Sequence, residues 1–456
     1  KRQNRAFIRY HCVVVMKMRC LVISIVAALA ASSASAFSPS CHRRQYDNTR
    51  RSPSSSSLSL SADNGQFFMD SSSSSARFED NNNNNNGNNK SVIPGESCTG
   101  ETIAVVGATG YIGKAVVRES VRRGYPTTAV VRDVSSSACH HYFDGAQVEE
   151  LNVQDTEACR TAGIFDAVDV VVCCLAARSG SKKDSMAIDY QASLNCAQAA
   201  KAAGARRFIL LSAYCVRSAE RQDPHALQFQ YAKMKLEQAL LAMSDSTFDY
   251  VSVRPTAFFK SLSGQVENVA SGGTFYYFDL GRDRSATCNP ISEHELAAAL
   301  VDQVAEDRHK NTYWNLGGPG DGVSMKAQGE LIHKVLGKEG EPKTVGLPIV
   351  LFDVVIHVLQ VIANTLRSEK FDNAAELGRI LKYYSLEDML TTDPSEKYGR
   401  TTLRQHYEFL AENGQEYDPY LTFFGSAESK KKFLEEKQKQ KKKSTTTPLR
   451  EAPVQV

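Results

Sequence analysis

Between residues 103 and 254 short apolar runs alternate with stretches of helical spacing, and that alternation leaves a chain few ways to fold. The runs at 103–106, 167–174 and 208–211 are apolar enough that each predicts a strand covered on both sides, and 250–254, ended by Pro255, reads as a further strand. Residues 148–151 predict a further, short strand. The intervening segments read as helices: 111–123 before Gly124, a turn opened by Asp155 and running towards Gly163, the alanine-rich 187–203 before Gly204, and 226–243 with Leu236, Leu240 and Met243 on one side. Strands joined through helices run parallel with right-handed crossovers, which predicts an α/β fold built on a doubly wound parallel sheet. Ligands of such a sheet meet at the carboxyl ends of its strands.

The first crossover carries GATGYIG, with Gly107, Gly110 and Gly113 spaced GxxGxxG. The first glycine permits the tight turn, the second lets backbone approach a pyrophosphate, and the third lets the helix pack closely on the sheet. A helix N-terminus then faces the phosphate charge. The sheet is therefore Rossmann-like, and Thr109, Tyr111 and Ile112 complete its cofactor turn. Arg132 ends the second strand, where an NAD enzyme usually carries an acid, and this points to the 2'-phosphate of NADPH. A solvated strand-end arginine is the plainer alternative. Asp155, after the third strand, is placed either to meet the adenine or simply to cap a helix.

The ends of the chain have a different composition. Met16 or Met18 is the expected start, so residues 1–15 are expected to be untranslated or an extension left by gene prediction. Lys17 and Arg19, the apolar run 21–31 and Ala34-Ser35-Ala36 together read as a signal peptide over 16–36. Residues 37–97 are rich in serine, asparagine and arginine, of transit-peptide character and without the apolar content to form a core. A signal segment followed by a transit-like one, joined at ASAFSP, resembles the two-part leaders of proteins bound for complex plastids. Residues 429–456 form a basic tail. The net charge of +3 is small and the tails carry clusters of basic residues, with no aromatic-basic stripe, so nucleic acid is not an expected partner. Eleven cysteines lack CxxC spacing and read as reduced thiols, and Cys139, His140 and His141, being contiguous, do not predict a metal site.

Four features in order, GATGYIG, LLSA ending near Ser212, Lys233 with Glu237, and VRPTAFF from Val253, resemble the extended and atypical short-chain dehydrogenase/reductases. The resemblance implies that Lys233 holds the nicotinamide ribose beside a tyrosine four residues earlier, with Ser212 near the reacting centre. Position 229 is Phe229, which has no proton to give. Tyr231 and Lys235 keep the spacing two residues on, but a shift of about 200° turns them to another side of the helix. Lys233, Tyr231 and Ser212 are thus the catalytic candidates, with Tyr231 the weakest.

Longer segments resemble the NADPH-dependent divinyl chlorophyllide 8-vinyl reductases: KDSMAIDYQASLN, RFILLSAYCV, LQFQYAKMKLE, VRPTAFFKSLSGQVE, ATCNPISEHELA and GRILKYYSLEDMLTTDP. The likeness spans residues 102–410 and extends beyond the nucleotide fold. It implies plastid reduction of a vinyl group on a divinyl chlorophyllide-type tetrapyrrole, in a family that also lacks the usual tyrosine. It divides the chain at about residue 260 into a Rossmann domain (98–260) and a smaller, mostly helical C-terminal substrate lobe (261–428). Tyr214, Phe229, Phe258 and Phe259 stand where the crevice opens and are the substrate-contact candidates; core packing is the alternative for the last two. Tyr214, Tyr231 or water is left as the proton donor. In the lobe, Ser292 and Glu295 form an S-x-x-E capping-box pattern for a helix through 304, and 313–316 reads as a final strand. Residues 348–366 predict a greasy helix with a polar stripe of Asp353, His357, Gln360 and Asn364, fit for a membrane surface, a pocket floor or the core. The absent tyrosine also admits a redox-silent cofactor-binding assembly factor, and a phenolic reductase is a third reading.

Overall fold

The computed structural model describes residues 100–135, 143–177, 179–282 and 284–414. The leader, the Cys139-His140-His141 group and the basic tail lie outside the described residues. Strands β1 (Ile103–Val106), β2 (Thr127–Val131), β3 (Gln147–Glu150), β4 (Val170–Cys173), β5 (Arg207–Leu211) and β6 (Asp249–Pro255) follow the alternation read from the sequence. With β9 (Thr312–Leu316) they make one seven-stranded sheet, ordered 3-2-1-4-5-6-9. Every pairing in it is parallel. The order reverses direction between β1 and β4, which opens a crevice at their carboxyl ends.

Helices α1 (Tyr111–Arg122), α2 (Thr156–Thr161), α3 (Ser193–Ala202), α4 (Val216–Glu220) and α5 (Gln228–Met243) occupy the connections. The alanine-rich crossover is not α-helical throughout: Ser185–Ala192 is a π-helix leading into α3. Two short helices, α6 (Phe259–Leu262) and α7 (Val266–Ala270), follow β6. One apolar layer joins α1 to α8 (Glu293–Asp302) on one face of the sheet through Ile112, Val116, Leu296 and Leu300. A second, on the opposite face, is built from Cys196, Ala197, Leu236 and Leu240. This double cover is why the central strands could be uniformly apolar.

The remaining elements are β7 (Phe275–Asp279), β8 (Thr287–Cys288), β10 (Val323–Ser324), α9 (Met325–Val335), β11 (Thr344–Pro348), α10 (Val350–Leu366), α11 (Glu369–Leu386) and α12 (Leu403–Asn413). β7 pairs in parallel with β11, and β8 antiparallel with β10. α10 and α11 form an antiparallel-type hairpin with its own small core of Val355, Leu359, Ala374 and Ala375. Asp353 and Gln360, two members of the polar stripe, turn towards α11, to Lys382 and Arg379. The capping box at α8 is a correction: Ser292 does accept from the Glu295 amide, but Glu295 does not reach back to the Ser292 backbone. Its carboxylate accepts from the Ser292 hydroxyl (2.9 Å) and from the amides of Arg400 (2.6 Å) and Thr401 (2.8 Å), fastening the segment before α12.

Candidate active site

The glycine turn is built from close backbone approaches. Gly107 has φ +78°, and a Cβ there would lie 2.9 Å from the Cys174 carbonyl carbon. A Cβ on Gly113 would lie 2.2 Å from the Gly107 oxygen, so the helix can start this close only without one. Gly110 differs. A Cβ on it meets only the Gly107 oxygen, at 3.1 Å, which leaves open space above the turn. Gly110 caps α1 with no side-chain hydrogen bond, and the first turn of α1 holds no acid. Its amides and dipole therefore face outward and unneutralised, as a pyrophosphate requires. Ile112 is buried beneath the turn, while Thr109 is half-buried in it. Tyr111 donates to Glu293 at 2.6 Å, tying the turn to α8. Arg132 is exposed just past β2, and Asp155 caps α2 by accepting from the amides of Glu157 (3.0 Å) and Ala158 (3.1 Å).

Lys233 lies inside the crevice wall. It is buried, with Nζ 3.3 Å from Asp189 Oδ1 and 3.5 Å from the Leu211 carbonyl oxygen. Asp189 comes from the π-helix, whose extra residue per turn swings it into the sheet. Burial raises the Asp189 pKa, and the Lys233 charge only partly opposes this. Asp189 was not anticipated from the sequence: one acid in an alanine-rich run looks like an ordinary polar helix position.

Glu237, one turn beyond Lys233, organises a second group. It accepts from Ser212 Oγ (2.6 Å), Ser252 Oγ (2.6 Å) and Arg254 Nε (3.1 Å). Arg254 also pairs with Glu220 at 2.5 Å and lies 3.8 Å over the Tyr313 ring. Burial works against the Arg254 charge, but the two carboxylates prevail and hold its pKa above the ordinary value. Ser212 thus spends its proton on Glu237 and has only acceptor capacity left for a ligand.

The other candidates spread around the crevice mouth. Phe229 packs with Cys215, Leu227, Ala213, Tyr214 and Ala257. Tyr214 donates to the Leu390 carbonyl at 3.0 Å, and Arg217 stacks on its ring at 4.1 Å. Phe258 is half-buried, 6.4 Å from the Tyr111 ring. Phe259 is 1% exposed and packs in the core of the C-terminal part beside His406, so its ring presents nothing to a ligand. Tyr231 faces solvent, away from buried Lys233, as the helical offset predicts.

A parallel sheet in this order, a glycine turn at its switch point and a buried lysine beside it define a dinucleotide-binding α/β protein; residues 99–410 match the NmrA-like family. Among solved structures, AtPrR2 with NADP+ and (+)pinoresinol shares the fold, with a TM-score of 0.51 at 16% identity over 68% of this chain and 98% of that one. Two plant proteins are much closer in sequence. The divinyl chlorophyllide a 8-vinyl-reductase of Oryza sativa subsp. indica is 39% identical over 71% of this chain and 81% of its own length. That of Arabidopsis thaliana is 40% identical over 68% and 77%. The chain belongs to this family within the NmrA-like proteins.

Proposed function

We propose that this protein reduces the 8-vinyl group of divinyl chlorophyllide to ethyl in the plastid, using NADPH. One observation carries the reading: the identity of 39–40% to the chloroplastic 8-vinyl-reductases extends over 76–81% of their length, well past the nucleotide-binding half. The site fits the cofactor, because the opening above Gly110, the uncapped α1 N-terminus and the buried ammonium of Lys233 supply what a pyrophosphate and a ribose need. When bound, NADPH supplies the hydride. Lys233, held by Asp189, orients the ribose; Arg132 meets the 2'-phosphate. The macrocycle spreads the charge that develops as hydride adds to the vinyl group, so the residues around it need only exclude water, fix orientation and deliver one proton. An enzyme of this kind has no use for the superfamily tyrosine as a carbonyl acid, which is consistent with Phe229.

Anaerobic incubation of the chain with NADPH and divinyl chlorophyllide, with chromatographic separation of monovinyl product, tests the reading. Lys233→Ala is expected to lose most turnover, and Arg132→Ala to lose the preference for NADPH over NADH. NADPH binding without monovinyl product would shift the weight to a redox-silent role. Two finer assignments go with it. The segments 16–36 and 37–97 act as a two-part plastid leader, and a fluorescent protein fused to residues 16–97 that stayed outside the plastid would reject this. The outer face of α10, with exposed Val350, Val354, Val358 and Val361, rests on a membrane surface.

A further inference from the structure

α11 crosses the mouth of the crevice. Along its length Asp372 and Glu376 meet Lys182 at 3.5 and 3.8 Å, Ile380 reaches Gly180, Tyr383 bonds to Ser218 Oγ at 2.6 Å, and Arg217 comes within 3.9 Å of Glu387. These partners lie in the segments that follow β4 and β5, where substrate must enter. The last turn of α11 brings one more group inward. The Tyr384 hydroxyl stands 3.5 Å from Cys215 Sγ, and Cys215 belongs to the apolar cluster against which Phe229, Ala213 and Tyr214 pack.

We infer that Tyr384 is the proton donor of the reduction, supplied by the C-terminal helix in place of the tyrosine missing at position 229. This rests on the vinyl-reductase reading above. The rival hydroxyls are occupied or misplaced: Tyr214 donates to the Leu390 carbonyl, Ser212 donates to Glu237, and Tyr231 faces away from Lys233. Among the described residues the Tyr384 hydroxyl meets a weak thiol that can itself donate, and no carbonyl or carboxylate. It keeps 39% of its surface accessible, yet burial pushes its pKa well above the ordinary tyrosine value. A partly accessible ring whose hydroxyl reaches the buried Cys215 thiol belongs on the wall of a cleft. There the proton is retained until a carbanion forms. Hydride adds to one vinyl carbon, the π pair moves to the other, and that carbon takes the Tyr384 proton as the O–H bond breaks. Cys215 S–H steadies the tyrosinate, which water entering the open side of the ring reprotonates.

Tyr384→Phe removes one hydroxyl and keeps the ring. With the full chain, kcat for NADPH-dependent vinyl reduction is expected to fall by about 100-fold, the scale of a general acid. NADPH affinity, read by fluorescence, and the melting temperature stay near wild type, and Tyr383→Phe, which loses the Ser218 bond, lowers melting temperature more than kcat. Tyr384→Phe with more than half the wild-type kcat overturns the inference. Should that variant not fold, 3-fluorotyrosine at 384 keeps the shape and lowers the hydroxyl pKa, so it must shift the alkaline limb of the kcat profile downward; an unmoved limb overturns it as well. A wild-type chain that binds NADPH but makes no monovinyl pigment removes the underlying reading, and this inference with it.

Discussion

Lys233, proposed above to hold a ribose, is set in place while almost wholly buried. Its ammonium is buried against Asp189, so its position is fixed before any ligand arrives, and no ordering cost falls on binding. The partly buried ring pair of His309 and Trp314 gives a direct test of side-chain placement. His309 lies flat on Trp314, with centroids 4.7 Å apart and planes 9° from parallel. Burial, helped by the neighbouring Arg308 charge, pushes its pKa down to about 4 from 6.5. The folded value lies below the unfolded one, so the contribution of neutral His309 to stability is complete above pH 6.5 and is lost as pH falls through about 4. An imidazolium quenches a stacked indole, and Trp314 is the one tryptophan in the chain. Its emission should hold steady from neutral pH to about 5 and fall around pH 4, a drop absent in His309→Gln. Quenching centred near pH 6.5 would show that the imidazole is not held in this stack. Glu237 and Arg254 were visible in the sequence as strand-end and helix residues, but their pairing with Ser212 and Glu220 was not, because the four come from separate elements joined only by the sheet.

The first crossover, as an element, makes two glycine substitutions behave differently. Gly113→Ala drives a methyl into the Gly107 carbonyl, which is backbone and cannot rotate away, so destabilisation of about 1–3 kcal/mol is expected from overpacking. Gly110→Ala meets a single contact at 3.1 Å and should melt near wild type while binding NADPH more weakly, since its methyl occupies the pyrophosphate approach. Calorimetry and a binding titration on both variants check this. Reversal of the order, with Gly110→Ala the less stable and Gly113→Ala the weaker binder, would refute the assigned roles. This turn was legible because each glycine answers a backbone requirement that sequence spacing encodes, and β1 is found at 103–106 as read. The π-helix was not legible: 187–203 has ordinary helical composition, and a one-residue insertion in the hydrogen-bond ladder leaves no mark in a 3.6-residue pattern. β7 and β11 were missed for another reason. FYYFD and TVGLP are short and separated by more than sixty residues, and they become strands only by pairing with each other.

For the molecule as a whole, the helical hairpin leaves one surface that no other described residue covers. Leu351, Phe352, Val355 and Leu359 pack inward from α10, while Val350, Val354, Val358 and Val361 point outward and are 41–57% exposed. Val345 on β11 extends this strip, exposed Lys343 stands at one end, and exposed Arg367 and Lys370 flank Glu369 at the other. No helix among the described residues is long and apolar enough to cross a membrane. A shallow seat on an anionic lipid surface is the arrangement that uses both the valines and the basic ends. Each valine half-buried in the interface contributes about 1 kcal/mol, and each basic residue near an anionic leaflet about 1 kcal/mol more. Neither term alone holds a protein of this size, so adhesion should be reversible and should weaken as salt screens the basic ends. The full chain is expected to sediment with vesicles containing anionic lipid, to release at high salt, and to ignore neutral vesicles. Val354→Asp with Val358→Asp should abolish sedimentation and leave the melting temperature unchanged, because both side chains already face solvent. A wild-type chain that stays in the supernatant rejects the membrane seat. If the double variant instead lowers the sedimentation coefficient of the lipid-free protein, the valine strip is where two copies meet, and the hairpin that covers the crevice is held in place by a second chain.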